Sequence, residues 1–523
     1  MSSNLAGKRG QEAEIVAWLK ANSERAIETA CARIFLAGEV AWKLKRNVDL
    51  GYVDFSTREK RKWALDRELA FNATAAPDIY RAVRAITREA DGGLAWDGAG
   101  RPIEYALEMR RFDDAAVLSA DPSVIDGDMA EALGRTIAGF HLTAPLRPEG
   151  GLSALAWTIN SNAGLLRDLK SQLGEDRVET MLALTDAELA RQTPLLAART
   201  KAGFSRRCHG DLHLANILLE NGKPVLFDCI EFNDLLSDLD VQYDLAFLLM
   251  DLDFRGRRDA GVRVLSAYLD QAARGFGAQL WEGLAALPLM LAVRAGVRAH
   301  VSMHAGDVAL SRAYVDAAIA HLSPPRPVLA AVGGFSGTGK STFARGVAPG
   351  LGAAPGAVVL RTDEARKRLA GAGPVDRLPA EIYTAEFYAE VYETMFGAAR
   401  ALLTAGQAVV LDATFTEPAL RARAEALAAE CGVPFHGAWL EAPLEVLEAR
   451  VASRVGDASD ATLEVLHDQI ARHGGDAVSW TKVDATQASD AAAKAWLKRR
   501  PGDPARRAPP HAPIAALKPP PPT

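Results

Sequence analysis

The stretch "GGFSGTGKST" runs from Gly333 to Thr342. Within it, Gly334, four intervening residues, then Gly339, Lys340 and Ser341 satisfy the pattern G-x4-G-K-[ST]. The glycines let backbone N–H groups turn inward and cradle phosphates. Lys340 reaches toward the β- and γ-phosphates, and the Ser341 hydroxyl is a Mg²⁺ ligand. The following helix N-terminus adds its positive end. Gly334, Ser336, Gly337, Thr338, Gly339, Lys340, Ser341 and Thr342 are therefore the expected nucleotide-binding residues of this loop.

The residues around the loop agree with it. "VLAAV" before it reads as an apolar strand. After it come the strand "AVVLRTD", an amphipathic stretch from Glu381 to Thr404, the strand "AVVLDAT", the helix "PALRARAEALAAE" and the strand "FHGAWLEA". Two further helical patterns precede "WTKVDAT". Short apolar strands alternating with helices indicate an α/β domain on a parallel sheet. "SPPRP" at Ser323 to Pro327 cannot continue a helix and marks a joint. The expected organisation is residues 1–322, a linker at 323–327, a P-loop domain at 328–497, and a proline-rich, disordered tail at 498–523.

Composition excludes several classes. With 49% hydrophobic and 24% charged residues, the chain is globular. A net charge of −6 offers no footprint for nucleic acid. Cys31, Cys208, Cys229 and Cys431 form no C-x-x-C pair, so reduced thiols are expected rather than a disulfide or zinc framework. No signal-peptide pattern opens the sequence, and the apolar run Leu284 to Val293 is half a membrane span. A cytoplasmic protein without membrane partners is expected.

Within the P-loop part, Asp412 ends "AVVLD", where a carboxylate holds Mg²⁺. The next residue is Ala413, not the glutamate that polarises water in many ATPases. That favours transfer to an acceptor other than water. Asp363, after the second strand, stands at the same sheet edge as the loop and is placed to take a proton from an acceptor hydroxyl. Arg366 is placed to steer an anionic acceptor. A helix N-cap at Asp363 is the plainer alternative. Arg450 and Arg454, one turn apart, form either a lid over the phosphates or a solvated helix face. Through "GGFSGTGKST", "RTDEARKRL", "VVLDATF" and "EARVASR…SDAT", this part resembles the P-loop kinases that include polynucleotide kinases, gluconate kinases and zeta toxins. In the polynucleotide kinases an R-x-D-x-x-R pattern supplies base and acceptor arginine. The resemblance therefore implies those roles for Asp363 and Arg366, and ATP-dependent phosphorylation.

The earlier residues hold a second signal, "HGDLHLAN". His209, Gly210 and Asp211 are followed five residues after the aspartate by Asn216, and Asp228 ends the strand "PVLFD". Kinase-fold chemistry uses one aspartate to orient and deprotonate a hydroxyl, and an asparagine and second aspartate to hold Mg²⁺ on ATP. "RIFLAGEVAWKLKR" reads as two strands around a turn, followed by a helix carrying Glu68 and the strand-like "IEYALEMRRF". A largely helical remainder makes this an α+β, bilobal region.

This part resembles the aminoglycoside phosphotransferase-like branch of the protein-kinase-like fold, where H-G-D replaces H-R-D. The resemblance implies a lysine on the α/β-phosphates, held by Glu68. Lys45 is preferred, and Lys43, on the same strand face, stays open. It also implies a hinge near Glu108 to Arg110 and a supporting role for Asp244. His213 reads as structural. No G-x-G-x-x-G loop is present, and the D-F-G-like site reads Asp228-Cys229-Ile230.

The combined expectation is a two-domain phosphotransferase. An α+β kinase-like domain is joined to an α/β P-loop kinase, each with ATP, Mg²⁺ and a small-molecule acceptor. The alternative makes the first part a ligand-binding module that gates the second. A P-loop ATPase that remodels a partner is disfavoured by Ala413.

Overall fold

The computed structural model describes residues 2–51, 53–453 and 460–499. The chain forms two compact units. Among the described residues, one takes in those up to Val124 and again Arg207–Asp238, and the other Ile125–Arg206 and residues 239–499.

The first unit is built on a six-stranded antiparallel sheet. "RIFLAGEVAWKLKR" folds as the expected hairpin, with strands Ala32–Ala37 and Val40–Lys45. Strand Val40–Lys45 also pairs with Arg101–Arg110, the strand read from "IEYALEMRRF". Helix Arg58–Ala75 is capped by Thr57, whose side chain accepts from the Lys60 N–H. It buries Ala64, Leu65, Glu68 and Asn72. Two of those four are polar, which no purely apolar core requires. The segment Arg207–Asp238 brings in the hairpin Ile217–Glu220 and Lys223–Leu226.

The second unit contains helices and then the P-loop sheet. Five parallel strands lie in the order Val358–Arg361, Val409–Asp412, Leu329–Gly333, Phe435–Glu441, Thr481–Asp484. The strands read from sequence are all present, and the long amphipathic stretch is helix Ala385–Thr404. Residues 324–328 carry no regular structure. Helix Ser489–Arg499 takes in Lys498 and Arg499, the first residues of the expected tail; the rest of that tail lies outside the described residues.

Strand Val358–Arg361 is an edge strand, and an exposed edge needs covering. Helix Arg258–Ala272, from the helical part of the unit, covers it. The Ser266 hydroxyl accepts the Val359 N–H at 3.1 Å, and Arg258 donates to the Pro355 carbonyl at 3.1 Å. Val262 is buried in the same apolar core as Ala330, Phe343, Val359 and Val410. Arg368 is ion-paired with Asp270 on the same covering helix.

One helical stretch, Gln279–His304, is long and apolar enough to cross a membrane by length and composition, longer than the apolar run read from sequence. Of its most apolar window, 72% is buried inside the protein, as in a core helix.

Val262→Ala is expected to lower the stability of the second unit by about 2 kcal/mol, because it deletes methyl groups inside the sheet's core. Denaturant unfolding of the full chain measures this. A loss below about 0.5 kcal/mol, the range of an ordinary surface change, would mean that the helix merely rests on the sheet.

Candidate active sites

The first site grows from strand Val40–Lys45. Side chains two apart share a strand face, so Lys43 and Lys45 both turn toward Glu68. Lys43 Nζ donates to Glu68 at 2.6 Å and to Asp228 at 2.7 Å. Lys45 Nζ lies 2.6 Å from the other Glu68 oxygen and donates to Glu231 at 2.5 Å. The geometry separates the two lysines. Lys43 reaches the partly exposed Asp228, whereas Lys45 is enclosed between two buried glutamates.

Burial alone would neutralise these groups, and their mutual charges decide the outcome. Desolvation pulls Lys43 down, but Asp228 and Glu68 outweigh it and hold the ammonium well above its usual range. Burial pushes Glu68 up, and the two lysines overcome this and bring it down to about 2. Glu231 is raised, because burial there exceeds the pull of Lys45.

Asp228 sits at φ 63°, a left-handed conformation rare outside glycine, and its N–H donates to the Tyr80 hydroxyl at 2.9 Å. The adjacent Cys229 N–H is held by Asn72 at 2.8 Å. The two buried polar residues of the helix thus have their purpose: Glu68 holds the lysines, and Asn72 holds the turn that presents Asp228.

Asp211 and Asn216 meet directly. Asn216 Nδ2 donates to the Asp211 carboxylate and to its carbonyl, each at 2.9 Å. The asparagine's amide donors are thereby engaged. Gly210 has φ 86°, and a Cβ there would lie 2.5 Å from the Leu236 carbonyl, which accounts for glycine between His209 and Asp211. His209 Nε2–H donates to the Phe227 carbonyl at 2.8 Å, and its Nδ1 accepts the Asp211 N–H at 3.3 Å. His213 lies beside Asp211. Its Nδ1 accepts from Ala215 N–H, so its Nε2 carries the proton, 3.3 Å from the Asp211 carboxylate. Asp244, in the second unit, is buried against His141 at 3.1 Å. Glu108 pairs with Arg84 and Arg110 with Glu220.

The second site grows from the parallel sheet. Gly337 has φ 86°, and a Cβ would lie 2.7 Å from the Leu447 carbonyl, so the loop admits only glycine there. The Ser336 N–H is held by Gln469 at 3.0 Å, and Lys340 Nζ donates to the Phe335 carbonyl at 2.9 Å. Gly339 caps helix Lys340–Val347 in a left-handed conformation.

Adjacent strands place Arg361 opposite Asp412 in the ladder. The buried Arg361 guanidinium donates to Asp412 at 3.2 Å, to the Ser341 hydroxyl at 3.1 Å and to Glu364 at 3.1 Å. One guanidinium therefore spans the two oxygen groups expected to hold Mg²⁺. Hydroxyl and carboxylate oxygens suit that hard cation.

Asp363 is the second residue of helix Thr362–Leu369, not its cap, and its carboxylate accepts from Arg366 at 2.7 Å. Tyr383 stacks near Arg366 and donates to Asp460 at 2.6 Å; Lys367 also pairs with Asp460, at 2.9 Å. Arg450 donates to the Ala485 carbonyl at 2.9 Å and lies 3.5 Å from that of Gly337. Arg454 lies outside the described residues.

Sequence reading missed Glu231, Arg361, Gln469 and Tyr383. Two lysines on one strand face with a single glutamate leave one positive charge unmatched, a signal for Glu231. Arg361 was legible from register, since "VVLR" and "VVLD" end side by side in a parallel sheet. Gln469 and Tyr383 come from distant elements and had no local signal.

Glu364 links this site outward. Arg345 lies 4.0 Å from it and pairs with Glu131 of helix Gly127–Thr143 at 2.5 Å. Burial raises Glu364 to about 7, with Asp270 adding to the effect and Arg361 and Arg345 opposing it.

A phosphotransferase enzyme family model matches residues 55–287, and an AAA domain model matches residues 329–475. The uncharacterized proteins Rv2004c of Mycobacterium tuberculosis and Mb2027c of Mycobacterium bovis are each 33% identical over 457 residues, spanning 83% of this chain and 87% of theirs. The chain belongs to their family. It joins a kinase-like phosphotransferase region to a P-loop kinase region, and it is a phosphotransferase. Among solved structures, a Janibacter sugar kinase is 21% identical (33% of this chain, 93% of that one, TM-score 0.26). A Cryptosporidium parvum choline kinase is 11% identical (60% and 94%, TM-score 0.37).

Three outcomes are expected. Lys45→Met removes one partner of a buried charge cluster and is expected to cost roughly 3–5 kcal/mol of stability. Lys43→Met is expected to weaken nucleotide use at this site by roughly 100-fold with a smaller loss of stability; thermal unfolding beside nucleotide binding separates the two. For Glu364, the folded state holds the proton more tightly, so its contribution to stability is lost as pH rises from about 4.5 through about 7. Glu364→Gln removes that dependence, and its melting temperature is expected to rise relative to wild type between pH 5 and pH 8.

Proposed function

We propose that the chain carries two ATP-dependent phosphotransfer sites, each moving the γ-phosphate to a hydroxyl of its own small-molecule acceptor. The observation that carries this reading is that each site keeps a complete set of groups: a phosphate-type lysine, oxygen ligands for a metal, and a carboxylate base. In the first, Lys43 meets the α/β-phosphates, oriented by Glu68. Asn216 and Asp228 hold Mg²⁺, and Asp211 takes the acceptor proton. His213, donating from Nε2, orients the Asp211 carboxylate. In the second, the loop Gly334–Thr342 cradles the phosphates, Lys340 turns from the Phe335 carbonyl to meet them, and Ser341 and Asp412 hold Mg²⁺. Asp363 is the base and Arg366 meets the acceptor. Arg450 and Arg454 close over the transferring group. Bound Mg²⁺ neutralises phosphate charge at both sites.

The working divisions are residues 1–322 and 328–497, joined by 323–327, in a cytoplasmic protein. The Arg366–Asp363 ion pair supports an anionic or polyhydroxylated acceptor at the second site. A second reading makes the first region a gate for the P-loop kinase. The packing of helix Arg258–Ala272 into the P-loop core favours communication of that sort.

The test incubates the protein with Mg·ATP and a metabolite extract and reads phosphorylated products by mass spectrometry. Two product sets are expected, one lost in Asp211→Asn and the other in Lys340→Ala. A single set that survives Asp211→Asn and is lost in Lys340→Ala would establish the gating reading instead.

A further inference from the structure

We propose that Arg361 is the resident cation of the P-loop site, holding Asp412 and Ser341 in their metal-ready positions until a metal-bound nucleotide displaces it. The proposal deepens the nucleotide reading of that site and rests on it. Asp412 is buried at the end of a central strand, and a buried carboxylate without a counter-charge is strongly unfavourable. Its ion-pair partner is Arg361, at 3.2 Å. The same guanidinium donates to Ser341 Oγ at 3.1 Å. A cation entering between hydroxyl and carboxylate competes with the guanidinium for both oxygens.

Arg361 also has a place to remain charged after it yields them. Its third contact is Glu364, also at 3.1 Å, on the first turn of the next helix. Retreat toward Glu364 leaves the guanidinium a carboxyl oxygen to donate to while Asp412 passes to the incoming ion. Glu364 is in turn near Arg345, which pairs with Glu131 on the helical part of the unit. The exchange therefore strengthens the Arg361–Glu364 pair at the expense of Arg345 and reaches the helix Gly127–Thr143. Arg361 acts through Asp412 and Ser341, which makes it a positioning residue.

The test uses the full chain carrying Asp228→Asn, so that metal at the kinase-like site does not obscure the measurement. Mn²⁺ binding at saturating ADP is followed by electron paramagnetic resonance, alongside thermal unfolding with and without Mg·ADP. Arg361→Gln removes the competitor and is expected to tighten Mn²⁺ roughly tenfold. It is also expected to lower the melting temperature without ligand, with Mg·ADP narrowing the gap. Arg361→Lys keeps the charge but engages fewer partners at once, and its Mn²⁺ affinity is expected between the two; it serves alone if the glutamine variant does not fold. Unchanged or weaker Mn²⁺ affinity in these variants, whatever their melting temperatures, would overturn the proposal. If Lys340→Ala leaves all nucleotide-dependent Mn²⁺ binding intact, the nucleotide reading of the loop fails and the proposal falls with it.

Discussion

An ionised carboxylate in a protein interior needs a cation at hand. Both sites are organised around this constraint. Lys43 stands between Glu68 and Asp228, at 2.6 and 2.7 Å. Arg361 stands between Asp412 and Glu364, at 3.2 and 3.1 Å. In each case the cation is fixed by strand geometry: Lys43 by the two-residue period of its strand, Arg361 by its register beside Asp412. The folds differ, and the electrostatic solution is shared.

The same constraint explains residues that otherwise look misplaced. Glu68 and Asn72 on the buried face of helix Arg58–Ala75 weaken its apolar stripe. One neutralises the lysines, and the other fixes the left-handed turn at Asp228 through Cys229. Glu231 answers Lys45. Removing Glu68 or Glu231 takes one counter-charge from the buried lysines.

Much of this was legible in the sequence. The parallel α/β sheet followed from short apolar strands alternating with helices, and the phosphate loop from glycine spacing. Asp211, Asn216 and Asp228 stood out by type and order, and the fold brings Asn216 against Asp211 and Lys43 against Asp228. The choice between Lys43 and Lys45 was not legible, since both lie on one strand face and only the placement of Glu231 and Asp228 separates them. Nor was the covering of the edge strand by helix Arg258–Ala272. Its Val262 reads as an ordinary helical core residue, and nothing local says that the core belongs to the P-loop sheet. That packing makes the helical part and the P-loop part of the second unit mutually dependent, although "SPPRP" reads as a joint between them.

The central claim, two nucleotide sites on one chain, is tested most directly by counting. Titrating the full chain with a non-hydrolysable ATP analogue and Mg²⁺ by calorimetry is expected to give two bound nucleotides per chain. Lys43→Met and Lys340→Ala are each expected to leave one, and the double variant none. A wild-type stoichiometry of one, lost entirely in either single variant, would contradict the account.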